Sequence, residues 1–97
     1  MDDLKKEHLK NCFSKATELN AKFIGVSIRV PNAPEKEIII NPRENFEEKL
    51  NYYQKTYDED LSHNAVGDIL KIVGFTYGDN FAEIQAQLLG MDEGGEK

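Results

Sequence analysis

The chain has 97 residues, 39% of them hydrophobic and 31% charged, with a formal net charge of -6 at pH 7. That length fits one small domain, which buries roughly 60 to 70% of its unfolded surface; it leaves room for one core and disfavours a second domain or a deep internal cavity. The single cysteine, Cys12, excludes an internal disulfide, and no apolar run approaches the roughly 20 residues of a membrane-spanning helix.

The opening segment Met1-Asp-Asp-Leu-Lys-Lys6 lacks the apolar stretch of a signal peptide, so a cytoplasmic protein with no membrane association is expected. Charge is unevenly spread. Residues 1 to 36 carry seven Lys or Arg against five acids, whereas residues 37 to 97 carry five against thirteen. An acidic half repels a phosphate backbone, so direct nucleic-acid binding is disfavoured, leaving Lys5, Lys6, Lys10 and Lys15 as a local basic patch.

Taken in chain order, Leu9, Cys12, Phe13, Ala16 and Leu19 recur every three or four residues, which predicts an amphipathic helix between Leu4 and Leu19. The period then changes to two: Ile24, Val26, Ile28 and Val30 alternate through Phe23 to Val30, a strand expected to pair with Glu37 to Asn41. Pro31 and Pro34 lie in the connection, where a missing N–H does no harm to a ladder. Asn41-Pro42-Arg43-Glu44 and Asn45 with Glu48 offer alternative starts to a second helix, whose inward stripe is Phe46, Leu50, Tyr53 and Tyr57.

Residues Ser62 to Gly67 hold too many turn formers for helix or strand, and Ile69 to Tyr77 reads as the third strand, with Gly74 marking a bulge or a close backbone approach. A last helix begins near Asn80, capped by Asn80 with Glu83 and lined inward by Phe81, Ile84 and Leu88; Gly90 is expected to stop it. Met91 to Lys97 is expected to be a mobile tail.

The expected fold is α+β, a two-layer sandwich in α-β-β-α-β-α order with a small three-stranded sheet covered by helices, forming one domain over 1–90 with a tail over 91–97. Strand order 2-1-3, mixed or antiparallel, and order 1-2-3 with a parallel last pair both satisfy the connections. With every helix on one face, the other face, bearing Phe23, Ser27, Arg29 and Ile39, would be partly exposed and would invite a partner or a homodimer.

His8 and His63 belong to no metal-ligand spacing and read as surface histidines. His8 stands four residues before Cys12, within reach on one helix, but a lone thiol on an apolar stripe is ordinarily a core side chain. Asp58-Glu59-Asp60, with Asp68 beyond, supplies hard oxygen ligands yet lacks the glycine and glutamate of a calcium hand, and reads as a solvated helix end. Gly74-Phe-Thr-Tyr-Gly78 has neither phosphate-loop arrangement. No catalytic, cofactor-binding or metal residues are identified. Tyr52 and Tyr53 cannot both face one core, so Tyr52 is expected at a boundary, where a large amphipathic ring suits an interface.

Residues Glu37 to Tyr53, together with Ile72-Val-Gly-Phe-Thr-Tyr-Gly-Asp79, resemble small uncharacterised proteins encoded by prophages of Gram-positive bacteria, over about residues 23 to 89. The resemblance implies an accessory role in a mobile element and carries over no active-site residues.

The expected function is that of a non-enzymatic protein–protein interaction module that presents Glu48, Tyr52, Lys55, Asp58 and Glu59 to a protein partner or to a second copy of itself. An acidic nucleic-acid mimic that blocks a DNA- or RNA-binding protein is the alternative, and an enzyme using Cys12 with His8 is a third reading.

Overall fold

The computed structural model describes residues 5–30 and 36–90. Along the chain run α1 (Lys6–Glu18), β1 (Phe23–Arg29), β2 (Glu37–Pro42), a 3-10 turn (Arg43–Asn45), α2 (Phe46–Thr56), β3 (Ser62–His63), β4 (Gly67–Gly78) and α3 (Phe81–Gly90). The Pro31 and Pro34 connection and the expected tail over 91–97 lie outside the described residues.

Of the stripe that its spacing predicts, helix α1 buries Leu9, Phe13 and Ala16 and partly buries Cys12, whereas Leu19, just past its last turn, is exposed. It ends in a Schellman motif: Asn20 takes a left-handed φ of 62°, Asn20 N–H donates to the Thr17 carbonyl and Ala21 N–H donates to that of Ala16. Helix α2 starts at Phe46, the later of the two expected starts, although Asn45 makes no side-chain cap bond. At α3 the expected cap is made, with Glu83 N–H donating to Asn80 Oδ1 at 3.0 Å. Gly90 is the last residue of that helix rather than the residue that follows it.

The sheet has four strands in the order β2-β1-β4-β3, all pairs antiparallel. The three expected strands thus take the 2-1-3 order. The additional strand, β3, corrects the expected three-stranded sheet: it falls where turn formers cluster, and its two residues pair irregularly with Lys71 and Gly67. Between Ser27 and Ile28 the register shifts, because Ser27 opposes Gly74 and Ile28 opposes Ile72, which leaves Val73 as an extra residue beside Gly74. Leu61 enters β3 at a φ of 68° while completely buried; Asp58 and Ile72 hold its main chain at both ends. For a bulky residue that conformation costs roughly 1 to 2 kcal/mol, offset here by burial of the side chain.

Ile24, Val26 and Ile28 point to one face, where they meet α1 and α2 in a core with Leu9, Phe13, Phe46, Tyr53, Tyr57, Leu61 and Ile72. The alternate residues Phe23, Gly25 and Ser27 point to the other face, and α3 lies there: a Cβ built on Gly25 would meet Ile84 and Leu88. The molecule is therefore three layers, α1 and α2, the sheet, then α3, which corrects the expected two-layer sandwich. The supposedly exposed face is covered. Ser27 is completely buried, Phe23 meets the Phe81 ring edge-on at 6.0 Å, and α3 is tied down by Thr76 Oγ1 with Gln87 Oε1 and by Lys36 Nζ donating to the Leu88 carbonyl. Ile39 opposes Val26 and so belongs to the α1 and α2 face, not with Phe23 and Ser27.

Candidate functional site

Helices α1 and α2 run antiparallel and are pinned at both ends. At one end Lys6 N–H donates to the Glu59 carbonyl and Lys6 Nζ to that of Gln54; at the other Arg43 Nη1 donates to Asn20 O and, at 2.7 Å, to Asn20 Oδ1. Near the second end the outer surfaces part into an open groove of about 550 Å³. Phe13, Phe46 and Leu50 lie at its floor, the two phenylalanines almost wholly buried and Leu50 partly exposed; Ser14, Thr17, Glu18, Arg43, Glu44 and Glu47 line the rest. Beneath it Phe13 packs edge-on against both Phe46 and Tyr53. The rim carries three carboxylates against one guanidinium, and that guanidinium is already engaged by Asn20. A site with this chemistry accepts an apolar surface flanked by positive charge.

Glu48, Tyr52 and Lys55, at intervals of four and three, share one exposed face of α2, with Tyr52 49% exposed and Tyr53 1%. Asp58 and Glu59 follow in the turn beyond the helix, also exposed. None of these five lines the groove. On this second surface the Tyr52 ring meets Tyr53 at 5.4 Å, and the Lys49 ammonium stands 5.3 Å from its centroid. The sequence marks Phe13, Phe46 and Leu50 as inward positions and Arg43 and Glu44 as a helix start, but none of the groove residues as a binding site. Ser14, Thr17 and Glu18 border the apolar stripe at helical spacing, but only the pairing of α1 with α2 turns that border into a rim.

Burial pushes the Cys12 thiol up to about 12, the opposite of what a nucleophile requires. His8 is used locally, its Nδ1 accepting the Lys5 N–H at 3.0 Å. Burial, followed by the Tyr57 and Tyr52 phenols and the Glu37 carboxylate, raises the Tyr53 phenol above its usual range, and burial with Tyr52 and Glu37 raises Tyr57. In the acidic turn, the Ser62 N–H and side chain bond Asp60 and hold its carboxyl below the usual range; its Oδ1 accepts the Ser62 N–H at 3.0 Å. Lys6 of the expected basic patch is taken up by α2, while Lys5, Lys10 and Lys15 are exposed.

Among the described residues no group of three or more His, Cys, Asp or Glu is placed to hold a metal ion, and no helix is long and apolar enough to cross a membrane. No protein-family model, curated protein or solved structure matches this chain.

Proposed function

We propose that this chain is a non-enzymatic protein-interaction module whose docking site is the groove between α1 and α2, and whose partner contributes a basic helix with an apolar face. The observation that carries this reading is the groove itself, with partly exposed Leu50 over the buried Phe13 and Phe46 and with Glu18, Glu44 and Glu47 around it. An amphipathic helix buries its apolar stripe in such a site while its flanking Lys or Arg meet the carboxylates, which steer the encounter and set orientation. Glu48, Tyr52, Lys55, Asp58 and Glu59 form an adjoining surface with Tyr52 as its anchor. The raised Cys12 thiol weighs against a nucleophilic role for that residue.

The test is fluorescence anisotropy with a labelled, helix-forming Leu/Lys peptide. The triple variant Glu18→Lys, Glu44→Lys, Glu47→Lys should weaken binding about tenfold, the sum of a few rim pairs worth about 0.2 to 1 kcal/mol each. Unchanged affinity in that variant would remove the groove from the proposal. Salt separates this reading from the nucleic-acid mimic: apolar docking survives moderate ionic strength, whereas binding by charge alone collapses. Charge reversal at Glu48 and Asp58 tests the adjoining surface in the same assay.

A further inference from the structure

We infer that β2 is a self-pairing edge, and that two copies of this chain join antiparallel, β2 against β2, about a two-fold axis at Ile39. The ladder reveals which groups point outward. Arg43 N–H donates to the Lys22 carbonyl at 3.0 Å, one step beyond the Phe23–Pro42 pair. Opposed residues in an antiparallel ladder alternate between pairs that exchange hydrogen bonds and pairs that do not. The bonding pairs are therefore Ile24–Asn41, Val26–Ile39 and Ile28–Glu37. Ile38 and Ile40 fall between them, so their N–H and C=O groups point away from β1, and β2 ends the strand order on that side. Pro42 belongs to the same outward set, the setting in which a strand tolerates proline.

The two ends of the sheet differ. On one side β3 covers only the start of β4, at Gly67 and Lys71, and the β4 stretch beyond it is broken by the bulge at Val73 and Gly74, whereas β2 runs for six residues with Ile38-Ile39-Ile40 at its centre and no lysine, proline or bulge among those three. Central charge, proline and shortness are the usual defences of an edge, and β2 lacks them there. Its pattern is also self-complementary. About Ile39, Ile38 meets Ile40 of the partner subunit and Ile40 meets Ile38 of the partner subunit, each pair exchanging both its bonds. Ile39 meets its own copy, and Glu37 faces Asn41 of the partner subunit, so no like charges oppose. The pairing doubles the four-stranded sheet into one continuous sheet.

The edge shares no residue with the groove, so either proposal can fail alone. Sedimentation equilibrium of the full chain, from micromolar to millimolar, should give twice the 11.1 kDa of one chain. Ile38→Pro, which removes an outward N–H and no β1–β2 bond, and Ile38→Lys should each return the mass to 11.1 kDa with an unchanged circular dichroism spectrum. Amide exchange keeps the inference falsifiable where a variant fails to fold. In the unaltered protein Ile38 and Ile40 should become protected as concentration rises, while Ile39, bonded to Val26, should be protected throughout. A monomer at all concentrations, a dimer that survives both substitutions, or Ile38 and Ile40 amides indifferent to concentration would each overturn it.

Discussion

Gly25 of β1 lies directly beneath Ile84 of α3: a Cβ added to Gly25 would stand 2.6 Å from Ile84 Cγ2 and 2.8 Å from Leu88 Cδ1. Glycine is required there by proximity, because α3 seats on the sheet only where no side chain intervenes. Gly25→Ala should therefore push α3 outward and lower stability by about 1 to 3 kcal/mol, the usual cost of overpacking. Gly78→Ala is the control, since its Cβ would meet Ile84 at an ordinary 3.6 Å. Urea unfolding of both variants checks this, and equal effects would contradict the seating of α3.

The Tyr53 hydroxyl is buried and has no hydrogen-bond partner among the described residues. An unsatisfied buried polar atom costs about 1 to 3 kcal/mol, so Tyr53→Phe should leave stability unchanged or raise it by on the order of 1 kcal/mol. Tyr53→Ala should instead cost about 3 to 5 kcal/mol, because the ring packs against Phe13, Tyr52 and Tyr57. Thermal unfolding distinguishes the hydroxyl from the ring; a Phe variant that loses several kcal/mol would mean that the hydroxyl has a partner.

Alkaline pH should destabilise the fold. Cys12, Tyr53 and Tyr57 all titrate higher in the folded chain than in the unfolded one. The unfolded state loses these protons first, so the stability they represent is complete below about pH 9 and falls as pH rises through the thiol and then the phenol range. Cys12 and Tyr53 should each contribute a slope of up to about 1.4 kcal/mol per pH unit within their windows. Urea unfolding across that range should show the decline, flattened by Cys12→Ala and by Tyr53→Phe. The same burial predicts that Cys12 alkylates slowly in the native protein and rapidly in denaturant; fast native labelling would restore a nucleophilic role.

Asp60 should behave in the opposite direction. With its carboxylate accepting from Ser62, it should titrate below the ordinary aspartate value of about 3.9. The stability it adds is present above that value and is lost as pH falls through its lowered folded pKa. Carbon-detected NMR titration reads this directly. Asp60→Asn, which removes the charge, should abolish that contribution.

Much of this architecture is written in local pattern. Leu9, Phe13 and Ala16 mark the buried side of α1, alternation from Ile24 to Ile28 marks β1, and the adjacent Tyr52 and Tyr53 separate into exposed and buried because one helix cannot turn both inward. The placement of Ile39 was not legible in the same way. Three successive isoleucines carry no alternation, and a slip of one residue in register moves each to the opposite face. The groove was less legible still, because its rim is assembled from helices that the sequence separates by a whole hairpin.

The sequence by itself determined the three helices and the three longer strands, the single cysteine, the acidic balance and most of the residues that are buried, because periodicity and capping act over a few neighbours. Tertiary structure alone decided that α3 crosses to the far face, that Ser62–His63 joins the sheet, and that Ile38 and Ile40 point their backbone groups outward. Those outcomes depend on long-range contacts, such as the absent Cβ of Gly25 beneath Ile84 and the Arg43–Lys22 bond that sets the ladder. No local window of the chain contains both partners of such a contact.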